Sequence, residues 1–92
     1  MTFVVAHFDV GEYDTWKRER FDADPAGRKQ AAKGHVIFRS IDNPGEVFVR
    51  VEFASADAAK SFRERLLASG ALDNVNVLTP PTVVEVADEA SY

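Results

Sequence analysis

Residues 35–53 read HVIFRSIDNPGEVFVRVEF, and this stretch decides the fold. Two runs rich in β-branched and aromatic residues, His35 to Ile41 and Glu46 to Phe53, are typical of strands. Between them lies Asp42 to Gly45, with the sequence DNPG, whose residue types favour a tight turn. The stretch therefore predicts a β-hairpin with a four-residue connection.

The two faces of this hairpin differ in character if Ile41 pairs with Glu46. Under that register one face is apolar and suits a core beneath helices; it holds Val36, Phe38, Val47, Val49, Val51 and Phe53. The opposite face mixes apolar and charged side chains: His35, Ile37, Arg39, Ile41, Phe48, Arg50 and Glu52. Such a face is either solvated, as is common in antiparallel sheets, or a subunit interface, where aromatic residues and arginine are enriched. We favour the interface.

The chain before the hairpin predicts one strand and two helices. Residues 2–8 are rich in β-branched and aromatic residues and predict a strand. Residues 13–23 contain good helix formers and predict a helix. Asp24 followed by Pro25 has the pattern of an N-cap and a first helical residue, so a second, short helix is expected to end near Gly34.

The chain after the hairpin predicts a helix and a final strand. Ser55 is suited to cap a helix, and Gly70 is suited to end it. Residues 71–78 are compatible with another helical turn or with a short extended piece. The pair Pro80–Pro81 is expected to break the chain, and residues 82–87 predict the last strand.

The resulting order of elements, β-α-β-β-α-β, is the ferredoxin-like arrangement of the α+β class. It predicts an antiparallel sheet with both helices on one face. Ninety-two residues suit one domain. We assign residues 1–87 to that domain and residues 88–92 to a loose polar tail.

Composition excludes several classes of function. Eleven Lys and Arg against fifteen Asp and Glu give a net charge of −4, which is unfavourable for binding a nucleic acid. No apolar run approaches the ~18 residues of a membrane span, and the first residues lack the features of a signal peptide. The chain has no cysteine, so disulfides and Cys-ligated zinc are excluded. We expect a cytoplasmic protein with no nucleic-acid or membrane partner.

His7 is the first candidate for chemistry. An unperturbed histidine pKa of about 6.5 suits general acid–base catalysis, and His7 ends an apolar strand, at the rim of the sheet or in a pocket. The alternative is a structural histidine that is hydrogen-bonded to the backbone. The only other histidine is His35, and no spacing typical of metal ligands is present, so no metal site is expected.

Three aromatic residues of the predicted first helix, Tyr13, Trp16 and Phe21, span an arc of about 140°. Two cations, Lys17 and Arg20, fall inside the same arc. Either the cations lie along the sheet edge with their charges in water, or the aromatic residues form a pocket with a basic mouth. Such a pocket suits a flat, anionic or enolisable ligand.

Two arginines are further candidates: Arg28 on the predicted second helix and Arg39 in a strand. Either can hold a carboxylate, phenolate or enolate, or can close a salt bridge across a dimer. The chain has no Gly-rich phosphate loop, dinucleotide motif or nucleophile elbow. The sequence therefore predicts no bound nucleotide or flavin cofactor.

Several short stretches between about Val4 and Val86 have the spacing of one known family. They are His7-x5-Tyr13-Asp14-x-Trp16-x4-Phe21-Asp22, then Arg28, Gly34, Phe38-Arg39, the turn from Asp42 to Val47, Glu52-Phe53 and the helix that Ser55 caps. On these residues the chain resembles the dimeric α/β-barrel superfamily. It is most similar to the small antibiotic-biosynthesis-monooxygenase-like branch, which includes proteins known as cyclases.

The resemblance implies a homodimer in which two sheets pack face to face, and a pocket between sheet and helices in each subunit. It further implies an enzyme that acts without a bound cofactor on a small aromatic or polyketide-like molecule, as a monooxygenase or as a cyclase or isomerase. Secondary metabolism is the setting expected for such a reaction.

On this hypothesis the catalytic residues are His7 and Arg39. His7 transfers a proton, and Arg39, or Arg28 in its place, stabilises an enolate or phenolate. The substrate-binding residues are Tyr13, Trp16, Phe21 and Arg28. The alternative hypothesis is a non-catalytic dimer that binds a small ligand or has a structural role.

Overall fold

Four strands form one antiparallel sheet in the order β2-β3-β1-β4. The computed structural model describes all residues from Met1 to Tyr92. In chain order its elements are β1 (Thr2–Asp9), α1 (Tyr13–Trp16) with a π-helical turn after it (Lys17–Phe21), α2 (Arg28–Ala31), β2 (Gly34–Arg39), β3 (Glu46–Phe53), α3 (Ala56–Ala68) and β4 (Asn76–Glu85). The order confirms the ferredoxin-like α+β fold.

The core lies between one face of the sheet and the helices. Alternate side chains of β1 and β3 are buried there, as the period of two in a strand requires: Val4, Ala6, Phe8, Val47, Val49, Val51 and Phe53. α3 packs Ala59 and Phe62 onto this surface, and the rings of Phe53 and Phe62 lie 5.2 Å apart. α1 adds Trp16.

The opposite face of the sheet, which we call the open face, carries no helix. The register between β1 and β3 puts Val5 beside Arg50 and His7 beside Phe48 on this face. Three of its apolar side chains are exposed: Val36, Phe38 and Phe48. The sequence therefore predicted correctly that one face of the sheet is mixed and uncovered. It did not predict correctly which residues of the hairpin lie on that face.

The predicted hairpin register is wrong by one residue. Arg39 pairs with Val47, and the amide of Ser40 donates to the carbonyl oxygen of Glu46 over 3.0 Å. Ile41 lies in the connection and is 96% exposed. Since a shift of one residue moves every side chain of a strand to the other face, all β2 assignments are reversed.

The corrected register places His35, Ile37 and Arg39 on the helix side, and Val36 and Phe38 on the open face. β3 keeps its predicted alternation, because its four buried positions are those expected.

Close packing against the β1–α1 loop fixes the geometry of the connection. The amide of Val10 donates to the carbonyl oxygen of Gly45 over 2.7 Å. A Cβ on Gly45 would lie 2.6 Å from the carbonyl oxygen of Gly11. Only glycine fits this approach, so the longer connection depends on a contact between segments distant in sequence.

The predicted second helix is shorter than expected. α2 has only four residues, because Asp24 (φ 55°) and Gly27 (φ 73°) adopt left-handed backbone conformations before it. Asp24 therefore does not cap a helix at Pro25. Its Oδ2 instead accepts a hydrogen bond from the amide of Lys29 over 3.2 Å.

The first predicted helix changes its geometry after one turn. The amide of Asp22 donates to the carbonyl oxygen of Lys17 over 2.9 Å, which is the five-residue bond of a π-helix. At the start of α1, the side chain of Glu12 accepts a hydrogen bond from the amide of Thr15. The segment 13–21 is thus helical, as predicted, but wider at its end.

β4 runs through Pro80 and Pro81, which were expected to break the chain. β4 pairs only with β1, and its register shifts on both sides of His7. Edge strands with bulges accommodate proline, because fewer of their N–H groups are needed for pairing.

The ends of α3 agree with the sequence analysis. Ser55 Oγ accepts a hydrogen bond from the amide of Ala58 over 3.1 Å, and Gly70 adopts a φ of 76° just after the helix. None of the helices has the length and apolar character needed to cross a bilayer.

Candidate functional site

A cavity of about 80 Å³ lies between the sheet and the helices. Twelve of its 15 lining residues are hydrophobic, so it suits an apolar group. β1 and β3 form its floor with residues such as Val4 and Val49, and Leu66 of α3 contributes to its walls. The charged residues among the lining are Arg20 and Arg28.

The volume of the cavity limits what it can hold. It is smaller than the ~150 Å³ engineered cavity that binds benzene, and well below the ~300 Å³ typical of sites for drug-sized ligands. The cavity therefore accepts a small apolar group. A larger molecule must extend beyond it or displace its walls.

The aromatic wall consists of Trp16 and Phe21, whose ring centroids lie 5.3 Å apart. In an α-helix, residues five apart point in directions that differ by about 140°. The wider π-helical turn between Lys17 and Phe21 reduces this angle, so both rings reach the same cavity. The predicted arc contained these residues, but α-helical geometry alone does not bring them together.

Arg28 lies against this wall and is 6% exposed. Its guanidinium carbon is 3.7 Å from the centroid of the Phe21 ring, and its Nη1 donates to the Phe21 carbonyl oxygen over 3.1 Å. Asp24 Oδ1 is 3.9 Å from the same nitrogen, and that oxygen is buried without a hydrogen-bond donor.

Burial lowers the pKa of Arg28, and the nearby carboxylates of Asp24 and Asp22 partly oppose this effect. The guanidinium stays charged at neutral pH, because arginine is not deprotonated in proteins. The cavity therefore has a fixed positive charge in its wall.

Tyr13 and Arg39 form a second pair on the helix side. The guanidinium carbon of Arg39 is 5.0 Å from the centroid of the Tyr13 ring, and Tyr13 is 6.0 Å from the ring of Trp16. Neither Tyr13 nor Arg39 lines the cavity. Of the two arginines predicted to stabilise an anion, only Arg28 is at the cavity.

His7 lies on the open face. Its ring stacks on Phe48, with centroids 3.9 Å apart and planes 15° apart. Its Nε2 is 2.5 Å from Glu46 Oε1. Because Arg39 lies on the other side of the sheet, the two predicted catalytic residues do not contact a common molecule within one chain.

Two residues that contact the candidate site residues were not expected to do so from the sequence. Glu46 was expected only to begin the third strand opposite Ile41, and its contact with His7 depends on the pairing of β1 with β3, which the sequence does not specify. His35 was assigned to the mixed face, but its ring meets the edge of Phe21 at 4.9 Å.

The environment of His35 lowers its pKa from 6.5. Partial desolvation of the ring is the main cause, and the positive charges of Arg28 and Lys17 add to it. His35 is therefore mainly neutral at pH 7. No group of three or more His, Cys, Asp or Glu side chains is arranged to hold a metal ion.

The fold is similar to that of two solved structures along nearly the whole chain. Protein Rv0793 from Mycobacterium tuberculosis is 23% identical, with a TM-score of 0.64 and 98% of each chain covered. A Bordetella bronchiseptica protein assigned by its name to antibiotic biosynthesis monooxygenase is 18% identical, with a TM-score of 0.57 and 97% of each chain covered. At these identities the likeness concerns the fold. No protein-family model matches the chain, and no curated protein matches its sequence.

Proposed function

We propose that this chain is a small enzyme of the antibiotic-biosynthesis-monooxygenase type. It acts as a homodimer, without a bound cofactor, on a small aromatic or polyketide-like molecule that places an apolar part between sheet and helices. The observation that carries the proposal is the buried guanidinium of Arg28 against the Phe21 ring in the wall of an apolar cavity. The name of the similar Bordetella protein supports oxygenation as the reaction class.

The charge of Arg28 determines the chemistry that the cavity supports. A positive charge beside an apolar cavity favours the anionic form of a phenol or enol. Because Arg28 is fixed by its contacts with Phe21 and Asp24, it stabilises this charge without reorganising as the charge develops. Arg28 thus takes the role that the sequence analysis gave to Arg39 or Arg28.

Oxygenation then uses electrons from the substrate. The substrate carbanion passes one electron to O2, and the resulting radical pair combines to a peroxide at the same carbon. Loss of water from this peroxide leaves a carbonyl group, so a CH2 group and O2 become C=O and H2O. O2 is the only co-substrate in this scheme.

The proton of the substrate leaves to solvent in this arrangement. No histidine and no carboxylate lines the cavity, and His7 lies on the other face of the sheet. This geometry favours Arg28 over His7 as the residue on which turnover depends.

The open face supports the proposal of a homodimer. Phe38 and Phe48 are 50% and 41% exposed there, and the guanidinium of Arg50 lies over the rings of Phe3 and Phe38, at 5.4 and 5.6 Å. Adjacent exposed apolar side chains of this kind mark association surfaces. A second copy of the sheet would cover both phenylalanines.

A non-catalytic ligand-binding dimer is the second candidate function. The observation that favours it is the absence of histidine and carboxylate side chains from the lining of the cavity, since such groups perform most proton transfers in enzymes.

Oxygen uptake with an enolisable phenolic ketone of the anthrone type tests the first candidate. We expect uptake by the unmodified protein and loss of uptake in Arg28→Gln. Arg18→Gln is the control for the change of charge, because Arg18 is exposed on the π-helical turn and does not line the cavity. Saturable binding without oxygen uptake would instead support the ligand-binding dimer.

A further inference from the structure

A second concave surface adjoins the cavity, and its lining is basic. It has a volume of about 210 Å³ and is lined by Arg28, Lys29, Ala32, Lys33, Gly34 and His35; we call it the basic depression. Three of these six residues are cations and none is acidic, although the chain as a whole has a net charge of −4. The local charge is therefore opposite to that of the protein.

Arg28 belongs to both the cavity and the basic depression. Its side chain is 7% exposed, and a guanidinium has five N–H donors. The Phe21 carbonyl oxygen is the only acceptor within hydrogen-bond distance of them. Unused donors on a buried cation are costly unless an acceptor reaches them, so the site has capacity for an anionic ligand.

The neighbouring charges indicate how much negative charge the site accepts. Asp24 lies 3.9 Å from Arg28 and offsets part of its charge. Lys33 is 3.7 Å from the carboxylate of Glu52, whereas Lys29 has no ion pair. One arginine partly offset by Asp24, together with one free lysine, suits a single negative charge better than a dianion.

The size of the cavity decides which part of a ligand lies where. About 80 Å³ of apolar space accepts a small apolar group, and a charged group placed there would lose its hydration. The basic depression, which is open to solvent beside Lys29 and Lys33, accepts the charged group. Phe21 contacts both Arg28 and His35, and so forms the boundary between the two parts.

We infer that the ligand of this site is an amphipathic monocarboxylate. Its carboxylate lies in the basic depression against Arg28 and Lys29, and its apolar group enters the cavity past Phe21. A carboxylate matches the planar fork of a guanidinium. The inference rests on the proposed function, because it assigns a chemical class to the molecule that occupies the same cavity.

Binding of butyrate, whose propyl group is small enough for the cavity, tests the inference by calorimetry, with butyramide as the uncharged analogue. We expect the amide to bind about tenfold more weakly or worse, because a hydrogen bond to a charged group is lost. Equal affinity of the two compounds overturns the inference. Tighter binding of the dianion propyl phosphate than of the carboxylate also overturns it.

Two lysine variants keep the test independent of the buried arginine. Lys29 is exposed, and Lys29→Gln is expected to weaken butyrate binding about tenfold, while binding of butyramide is unaffected. Lys60→Gln on α3 makes the same charge change outside the depression and is expected to leave both affinities unchanged. If both variants weaken binding equally, the attraction is a general effect of charge, and the proposed site is wrong.

The two proposals fail separately. If the protein prefers the carboxylate, if this preference depends on Lys29, and if no substrate causes oxygen uptake, this inference holds and the proposed monooxygenase function is wrong. Oxygen uptake that depends on Arg28, with no preference for the carboxylate over the amide, removes this inference and leaves the monooxygenase.

Discussion

The guanidinium carbon of Arg28 lies 3.7 Å from the centroid of the Phe21 ring, and its Nη1 donates to the carbonyl oxygen of the same residue. Phe21 thus holds the arginine through its side chain and its backbone. We expect Phe21→Leu to lower the free energy of unfolding by about 1 kcal/mol, because the contact between cation and ring is lost. Urea unfolding measures this change.

The same variant should weaken butyrate binding several-fold, since Arg28 loses the contact that orients it. Phe48→Leu makes the same change on the open face and should leave binding unaltered. Unchanged binding in Phe21→Leu would show that the arginine is oriented by its other contacts alone.

Gly45→Ala tests the contact that fixes the hairpin connection. A Cβ at this position would lie 2.6 Å from the carbonyl oxygen of Gly11, so backbone atoms must move. We expect a loss of about 1–3 kcal/mol in the free energy of unfolding. Gly34→Ala is the control, because nothing lies within 4 Å of its Cβ position. Equal urea midpoints for the two variants would contradict the close approach.

His7→Ala separates the two faces of the sheet. The variant leaves Glu46 without the partner at 2.5 Å, so we expect a loss of about 1 kcal/mol in stability. Oxygen uptake should persist, because His7 does not line the cavity. Loss of uptake in a folded His7→Ala protein would restore His7 as the proton-transfer residue.

Phe48→Glu tests the proposed dimer. Phe48 is 41% exposed in the single chain, so the variant is expected to fold as a monomer, whereas the unmodified protein is expected to sediment as a dimer. A buried carboxylate in the interface would be costly. Leu67→Glu on α3 is the control on the helix side and should remain dimeric. If the unmodified protein is a monomer at micromolar concentration, the proposed interface is wrong.

His35 should make stability depend on pH just below neutrality. Its pKa in the folded chain is below 6.5 because of partial desolvation and the charges of Arg28 and Lys17. Above 6.5 both states are neutral; as the pH falls through 6.5 the unfolded state takes up the proton first, so stability decreases. In His35→Asn, the urea midpoint should depend less on pH between about pH 7 and pH 5 than in the unmodified protein. An unaltered slope would show that other groups carry it.

Patterns of short range predicted most of the fold. The alternation in β3 and the cap at Ser55 are read directly from neighbouring residues, and both are confirmed. The register of β2 was wrong, because the length of the connection depends on the packing of Gly45 against Gly11. Gly11 lies outside the hairpin, so the hairpin sequence alone does not reveal this contact.

The candidate site was predictable in composition more than in arrangement. Trp16, Phe21 and Arg28 were selected from the sequence, and the structure brings them to one cavity. His7 and Arg39 were expected to act together, but the parity of β1 and β2 puts them on opposite faces. The face on which a strand residue lies depends on which strands pair and in which register, and a single sequence does not determine this.

The two prolines of β4 affect how the sheet can grow. Neither Pro80 nor Pro81 has an N–H, so a fifth strand could receive no backbone hydrogen bond from either position of this edge. The edge is therefore a poor template for adding another chain, and fibril-like polymerisation from β4 is hindered. Such protection matters for a small protein whose open face exposes apolar side chains such as Phe38 and Phe48.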